Sequence, residues 1–290
     1  MGYIFGVPQP SPAWPTAPVK TSLATVELAP DIDGGGVTLM IDGMESSHHN
    51  FVDPTALTFE YMQYMQAVLR GEIPAPSRGG STRGRPRVLH IGAAGCTMAR
   101  AVHAEWPGSH QVAIETDEIL AARVREWFDL PRSPQLRIRV QDGLEAVRTA
   151  PEGRYEVVIR DAFADRRAPH HLTTVEFTSH VHRVLSHGGL YLANSANRPP
   201  LTLTRREAAT VGAVFDHVSV ILEPGVLRGR RYGNAVIVGS QAPLDHSLHR
   251  VLRTLPAPAR LLAGADLTRF IAGHGPLTQE DSPASTAPTG

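Results

Sequence analysis

Cysteine and lysine are almost missing from this chain. Of 290 residues only Cys96 carries a thiol, so no disulfide can close within the chain, and only Lys20 carries an amine side chain. The positive charge is therefore nearly all arginine. With 28 basic against 28 acidic residues the formal net charge is +0, so no overall field draws in nucleic acid or an anionic membrane, and neither is expected as a partner. No apolar run approaches the roughly 18 residues of a membrane helix, and the start lacks the basic-then-apolar order of a secretion signal. A cytoplasmic protein is expected. There is no G-x-S-x-G elbow, which removes the usual signature of a serine hydrolase. The fourteen histidines include the adjacent pairs His48-His49 and His170-His171. Neighbouring rings do not easily share one metal, and none is expected.

What is present is an ordinary globular composition, 42% hydrophobic and 19% charged. Residues 1–18 are proline-rich and form an arm without regular structure. Residues 19–70 begin with two apolar strands around D-I-D-G-G-G, a β-hairpin. They continue into a helix that starts at Asp53-Pro54 or Thr55. Residues 71–86 form a Gly/Pro/Arg-rich linker. From Arg87 to about residue 242, strands and helices alternate, which specifies a mainly parallel sheet with helices on both faces. Within it, H-G-G at 187–189 is expected to stop a helix. The last two strands, H-V-S-V-I-L and N-A-V-I-V-G-S, are expected to pair antiparallel. Residues 243–290 hold one or two short helices and a polar tail expected to be disordered.

The organising stretch is R-V-L-H-I-G-A-A-G, residues 87–95. A short apolar strand stops on Gly92 and passes through Ala93 to Gly95 before a helix, the opening unit of an open α/β sheet. Three carboxylates then end three successive strands: Glu115, Asp142 and Asp161. An acid at the end of the second strand suits a ribose diol, because an ionised carboxylate accepts two hydrogen bonds at once. Asp142-Gly143 in the next turn suits an adenine amine. The glycine spacing is wrong for a pyrophosphate, so a nucleoside ligand without phosphate, such as a nucleosyl sulfonium, is the better fit. Cys96, at the helix start, is read as a small buried residue of the turn rather than a reactive thiol.

Taken together, I-G-A-A-G, V-A-I-E-T-D, V-Q-D-G-L-E and V-I-R-D-A-F resemble the spermidine synthase family of aminopropyltransferases, particularly the actinobacterial spermidine synthase-like proteins. T-L-M-I-D-G-M-E-S-S-H, H-L-T-T-V-E-F, G-G-L-Y-L-A-N-S and R-R-Y-G-N-A-V-I-V-G-S extend the resemblance over residues 22–240. It implies a Rossmann-like α/β domain, with the sheet of class I S-adenosylmethionine methyltransferases, behind a small N-terminal β-rich domain, usually as a homodimer. It implies decarboxylated S-adenosylmethionine as cosubstrate, no metal, and transfer of its aminopropyl group to a small-molecule amine. By position, Gly92, Ala93, Gly95, Glu115, Asp142, Gly143 and Glu45 would face the cosubstrate, with Glu115 on the ribose and Asp142 on the adenine. Asp161 would be the catalytic acid-base. Asp165, His48, Phe59 and His171 would line the acceptor side, with Phe59 rather than Tyr61 standing at the family's amine-contacting tyrosine.

The departures from the family cluster on the amine half. Gly95 replaces the acid of the glycine turn, Glu45 replaces a glutamine, and A-F-A-D-R-R-A-P replaces D-S-S-D-P. An acceptor other than putrescine, an S-adenosylmethionine-dependent methyltransferase, and a non-catalytic binding relative are the alternatives these departures leave open.

Overall fold

The computed structural model describes residues 14–75, 84–164 and 167–281. The N-terminal unit is a four-stranded antiparallel sheet: β1 Val19–Lys20, β2 Thr25–Pro30, β3 Gly36–Ile41 and β4 Met44–Asn50, in that order. The expected hairpin is its middle, and E-S-S-H-H-N is a further strand. Its polar composition hid it, since an inward-facing Ser or His gives no apolar alternation. Those inward residues, Ser47 and His49, are buried against the larger domain.

The following helix, α1, spans Glu60–Glu72 and so begins later than residues 53–55. Asn50 Oδ1 accepts from the Val52 and Asp53 N–H groups, and Asp53 Oδ1 accepts from the Thr55 N–H and hydroxyl. These side-chain turns take the backbone donors that a helix would have used.

The larger sheet is built from β5 Arg87–Ile91, α2 Thr97–Glu105, β6 His110–Glu115, α3 Glu118–Trp127, β7 Leu136–Val140, α4 Gly143–Thr149 and β8 Tyr155–Arg160. The chain continues through α5 Val175–Val184, β9 Leu185–Asn197, α6 Thr202–Gly212, β10 His217–Leu222, α7 Pro224–Leu227 and β11 Gly233–Ser240. It closes with α8 Leu248–Thr254, β12 Arg260–Leu262 and α9 Gly264–Ile271. The strand order is β12-β10-β11-β9-β8-β5-β6-β7. The run from β9 to β7 is parallel, and β11 and β10 pair antiparallel as their sequences suggest. This is the expected class I methyltransferase-type sheet beside a small antiparallel one.

Two details differ from expectation. The H-G-G at 187–189 does not stop a helix: α5 ends at Val184, and the glycines lie inside β9. There the ladder with β8 slips register, and Gly188 takes φ +73, a bulge that only glycine adopts cheaply. The edge strand β12, unanticipated, is three residues long and so too short to show a period.

Three cores hold the layers. One lies between α4, α5, α6 and α9 and a face of the sheet. A second joins α1, α2 and α8 to the opposite face, so α1 packs as part of the larger layer. The third seats the N-terminal sheet, through Val26, Val37 and Leu39, on Ala99, Leu120, Val124 and Trp127 of α2 and α3. Asp117 staples this last joint. Its carboxylate accepts from Thr21 Oγ1, the Ser22 and Leu23 N–H groups, and the Leu120 N–H that it caps. Burial alone would raise its pKa, but these donors outweigh it and hold the group below the ordinary range.

Candidate functional site at the carboxyl edge

The glycine turn is shaped by two close approaches. Gly92 has φ +84, and a Cβ there would stand 2.4 Å from the Asp161 carbonyl oxygen. Only glycine lets the backbone leaving β5 lie against the backbone leaving β8. The Gly92 N–H donates to Ile114 O at 3.1 Å. Beyond Ala93, the Ala94 N–H donates to Glu115 Oε2 at 3.0 Å, while Glu115 Oε1 accepts from the Thr116 and Asp117 N–H groups at 2.8 and 3.0 Å. Glu115 therefore stands at the mouth of the turn with its rotamer fixed.

Gly95 is closed rather than open. Its N–H donates to Ser47 Oγ at 3.0 Å, its carbonyl accepts from His49 Nε2 at 2.7 Å, and a Cβ at this position would lie 2.7 Å from Ser47 Cβ. Strand β4 thus occupies the space that an acid at position 95 would need. His49 stacks on Phe128 with centroids 3.9 Å apart, and burial, then the nearby Arg100 charge, lowers its pKa to about 3. It is a neutral structural donor. Cys96 is buried, and burial followed by the Glu115 charge pushes its thiol up to about 12, in keeping with a packing role.

Asp161 forms the centre of the edge. Its Oδ2 accepts from the Tyr61 hydroxyl at 2.9 Å and its Oδ1 from Asn194 Nδ2 at 2.8 Å. The residue is half-buried, and the surrounding protein desolvates the carboxylate and raises its pKa against the pull of Asn194, Tyr61 and Arg160. Tyr61 is raised well above its ordinary value by burial and by the Asp161 charge, so it remains a donor. The placement of Phe59 and Tyr61 is a correction. Phe59 caps α1 with its ring 6.1 Å from that of Tyr61, and Tyr61 is the residue that reaches the acid. Phe59 stands just outside the helix with extended backbone, so its side chain does not follow the helical spacing that carries Tyr61.

Under Asp161 lies a buried network that ties the end of β8 to Y-L-A-N-S of β9 and to α6. Arg160, 1% exposed, is ion-paired with Glu207, 3% exposed, and its Nε donates to the Tyr191 hydroxyl at 3.2 Å. Glu207 Oε1 also accepts from Ser195 Oγ at 2.8 Å, and Ser195 meets Thr204 Oγ1 at 3.1 Å. Arg160-Asp161 and Asn194-Ser195 are consecutive pairs on neighbouring strands, so one clamp below holds both groups that face each other above. The available signal was a polar N-S ending an otherwise apolar strand.

Asp142 caps α4, accepting from the Leu144 and Glu145 N–H groups at 2.9 and 3.2 Å, and its Oδ2 meets His171 Nε2 at 2.9 Å. Burial opposes these bonds but does not overcome them, and its pKa is lowered. Gly143 is a close-packing glycine, since a Cβ there would lie 2.5 Å from Ile91 Cγ2. His171 was expected on the acceptor side, but the structure brings it to Asp142. That is three strands from β8, about 14 Å at ~4.8 Å per strand. His48 is buried with both ring nitrogens engaged, by Asp31 Oδ2 at 2.9 Å and Thr58 Oγ1 at 2.8 Å, which makes it a pin within the N-terminal unit. Glu45 is exposed near the tip of the β3–β4 hairpin. Asp165 lies outside the described residues, as does Arg166. In the R-G-R-R stretch, Arg231 pairs with Glu223 and with Glu60, at 3.6 Å from the latter, tying the β10–β11 connection to α1. Among the described residues no group of three His, Cys, Asp or Glu could hold a metal, and no helix is long and apolar enough to cross a membrane.

A mainly parallel sheet with a glycine turn after β5, and acids at the ends of β6, β7 and β8, define a protein of the class I methyltransferase-type fold. Over 94% of its length the chain superposes on 99% of a probable spermidine synthase from Corynebacterium glutamicum, with 34% identity and a TM-score of 0.84. The chain belongs to the spermidine synthase-like family. A spermidine synthase in complex with the transition state analogue AdoDATO shares the fold at 18% identity and a TM-score of 0.59, over 83% of this chain and 79% of that one. The polyamine aminopropyltransferase of Vibrio vulnificus is 27% identical over 159 residues, 53% of this chain and 50% of that protein, so the match spans about half of its length. No protein-family model matches the chain.

Proposed function

We propose that the chain is an aminopropyltransferase that takes decarboxylated S-adenosylmethionine along the carboxyl edge and delivers its aminopropyl group to an amine at Asp161. One observation carries this reading. Half-buried Asp161 and buried Asn194 form a cluster in which one acceptor is unmet. With Nδ2 turned to the carboxylate, Asn194 Oδ1 is left buried without a hydrogen-bond partner among the described residues. An orphaned buried acceptor is costly, and an amine supplies the missing N–H groups.

In this reading Glu115 grips the ribose diol and Asp142, steadied by His171, accepts from the adenine amine. The acceptor nitrogen attacks the carbon beside the sulfonium. The new C–N bond forms as the C–S bond breaks, its electron pair stays on sulfur, and the surplus amine proton passes to Asp161. A carboxylate whose pKa is raised is a better base, and Tyr61 and Asn194 fix its direction of attack. A metal-free cytoplasmic homodimer belongs to the same proposal.

Gly95 favours a second reading. No acid there meets the ammonium end of the decarboxylated cosubstrate, which leaves a methyltransferase using intact S-adenosylmethionine in play. Calorimetric titration with both forms and with methylthioadenosine separates the two. Preference for the decarboxylated form, lost in Asp142→Ala, together with release of methylthioadenosine in the presence of diamines, supports aminopropyl transfer. Preference for the intact form moves the assignment to methyl transfer, and failure of all three ligands to bind overturns both.

A further inference from the structure

The opposite end of the sheet carries a second concavity that the transferase reading does not use. Helix α4 has only seven residues, so at ~1.5 Å per residue it covers roughly 10 Å of the sheet face. Residues alternate along β7, sending Leu136 and Ile138 toward α3 and leaving Arg137 and Arg139 on the other face. Beside the C-terminal end of α4 this leaves a cavity of about 390 Å³. Its floor is apolar, formed by Leu89, Val112 and Ile114, and its walls carry Arg87, Arg137, Arg139, Arg154 and His110 around Tyr155.

The charge in this cavity is one-sided. No Asp or Glu is among its lining residues. Arg87 is held by Glu156. Arg137, Arg139 and Arg154 have no ion-pair partner among the described residues; Arg137 makes only a 3.3 Å bond to Ser133 Oγ. Tyr155 shows that the cations converge. Burial raises its pKa, while Arg139, Arg154 and Arg87 all pull it down, which places three guanidinium groups in electrostatic reach of one hydroxyl. Over a chain of net charge +0 this is a local excess, not a general basic character. Like charges crowded into a concave, partly apolar site repel, and an anion removes that cost.

We propose that this cavity binds a small organic anion carrying two or more phosphate-type charges. Guanidinium forks match phosphate oxygens in pairs, the apolar floor and the Tyr155 ring accept the organic part, and the volume is that of a small-molecule site. The site opens at the amino-terminal ends of β5, β6 and β8 and runs along the sheet face to Ile114 and Gln141, one residue short of Glu115 and Asp142. A ligand held by its arginines and one held at the carboxyl edge are therefore distinguished by competition.

The test is calorimetric titration of the full chain with sodium tripolyphosphate, with and without saturating methylthioadenosine. Binding with a stoichiometry of one that survives methylthioadenosine and weakens at least tenfold in Arg139→Gln/Arg154→Gln supports the site. Arg123→Gln/Arg269→Gln, which removes two exposed helix arginines remote from the cavity, leaves the affinity unchanged. Lack of saturable binding, equal weakening in both double variants, or displacement by methylthioadenosine overturns the proposal. Circular dichroism of each variant checks that the fold is intact, which removal of exposed side chains preserves.

Discussion

Removing the Arg160 charge tests whether the clamp under Asp161 governs the acid as well as the fold. Both members of the Arg160–Glu207 pair are almost wholly buried, and each also bonds a neighbour, Tyr191 or Ser195. Arg160→Met leaves the Glu207 carboxylate uncompensated in the interior, which costs about 3–5 kcal/mol. In a chain of this size that lowers the melting temperature on the order of 10 °C. Arg160→Met/Glu207→Met removes both charges and both desolvation penalties, and it is expected to recover most of the loss, because a well-packed apolar pair is often as stable as the ions it replaces. The functional consequence runs separately. Arg160 is one of the influences that pull the Asp161 pKa down against burial. Without it the acid titrates at higher pH, so the acidic limb of kcat/KM for aminopropyl transfer moves upward in the double variant although stability is largely restored. Scanning calorimetry and a pH–rate profile read the two effects. If the single variant is no less stable than the double, the pair is not a buried clamp. If stability recovers and the acidic limb does not move, Arg160 has no hold on Asp161.

Asp161 itself costs the fold stability. Its folded pKa is raised, so its contribution is fully present below the unfolded value and is lost as pH climbs through the folded one. Asp161→Asn is therefore expected to abolish transfer yet melt above the parent at pH 7, and a lower melting point there would contradict the burial argument. His49 and His90 behave in the opposite sense. Burial lowers them to about 3 and about 4, so stability is present above pH ~6.5 and falls as acid protonates the unfolded chain first, by roughly 1.4 kcal/mol per pH unit for each histidine. Melting curves between pH 7 and 4.5 measure the slope, and His90→Gln should reduce it by about half. Gly95→Asp, which restores the family's acid, is expected to destabilise by more than about 2 kcal/mol because its Cβ meets Ser47. Ser47→Gly in the same chain should return part of the loss on denaturant titration. Tyr61→Phe removes a donor from Asp161 and is expected to lower kcat/KM by roughly ten- to a hundredfold, whereas Phe59→Leu should change it far less.

What the sequence disclosed and what it concealed divide along a physical line. Strand β5, the glycine turn and the acids ending β6, β7 and β8 are consecutive in sequence and repeat one local pattern, so period and turn chemistry exposed them. The antiparallel pairing of β10 with β11 followed from the same signals. Tyr61, Asn194 and Glu207 became partners of the site only through pairing across 33 or more positions, although Asn194 stands in G-G-L-Y-L-A-N-S. The helix boundary decided between Phe59 and Tyr61: Phe59 stands outside α1, and the Asn50 and Asp53 turns upstream take donors that an earlier start would use. His48 and His171 carry the residue type of a catalytic group, yet the structure gives them Asp31 with Thr58 and Asp142 as partners.

Gly95 joins these observations. In the sequence it reads as a loss, an acid missing from a glycine turn. In the structure it is the condition for a fit, since Ser47 and His49 of β4 take both its backbone groups and the volume a side chain would fill. The N-terminal sheet thus closes directly on the glycine turn, with the neutral His49 between Phe128 and the Gly95 carbonyl. In the proposed reading no carboxylate at position 95 receives an ammonium, and the buried Ser47 and Gly95 groups are already bonded to each other. Any discrimination in favour of the decarboxylated cosubstrate must then come mainly from Asp161, Tyr61 and Asn194. On that argument Asp161→Asn weakens decarboxylated S-adenosylmethionine more than methylthioadenosine, which lacks the aminopropyl ammonium. Equal weakening of the two would place the discriminating group elsewhere.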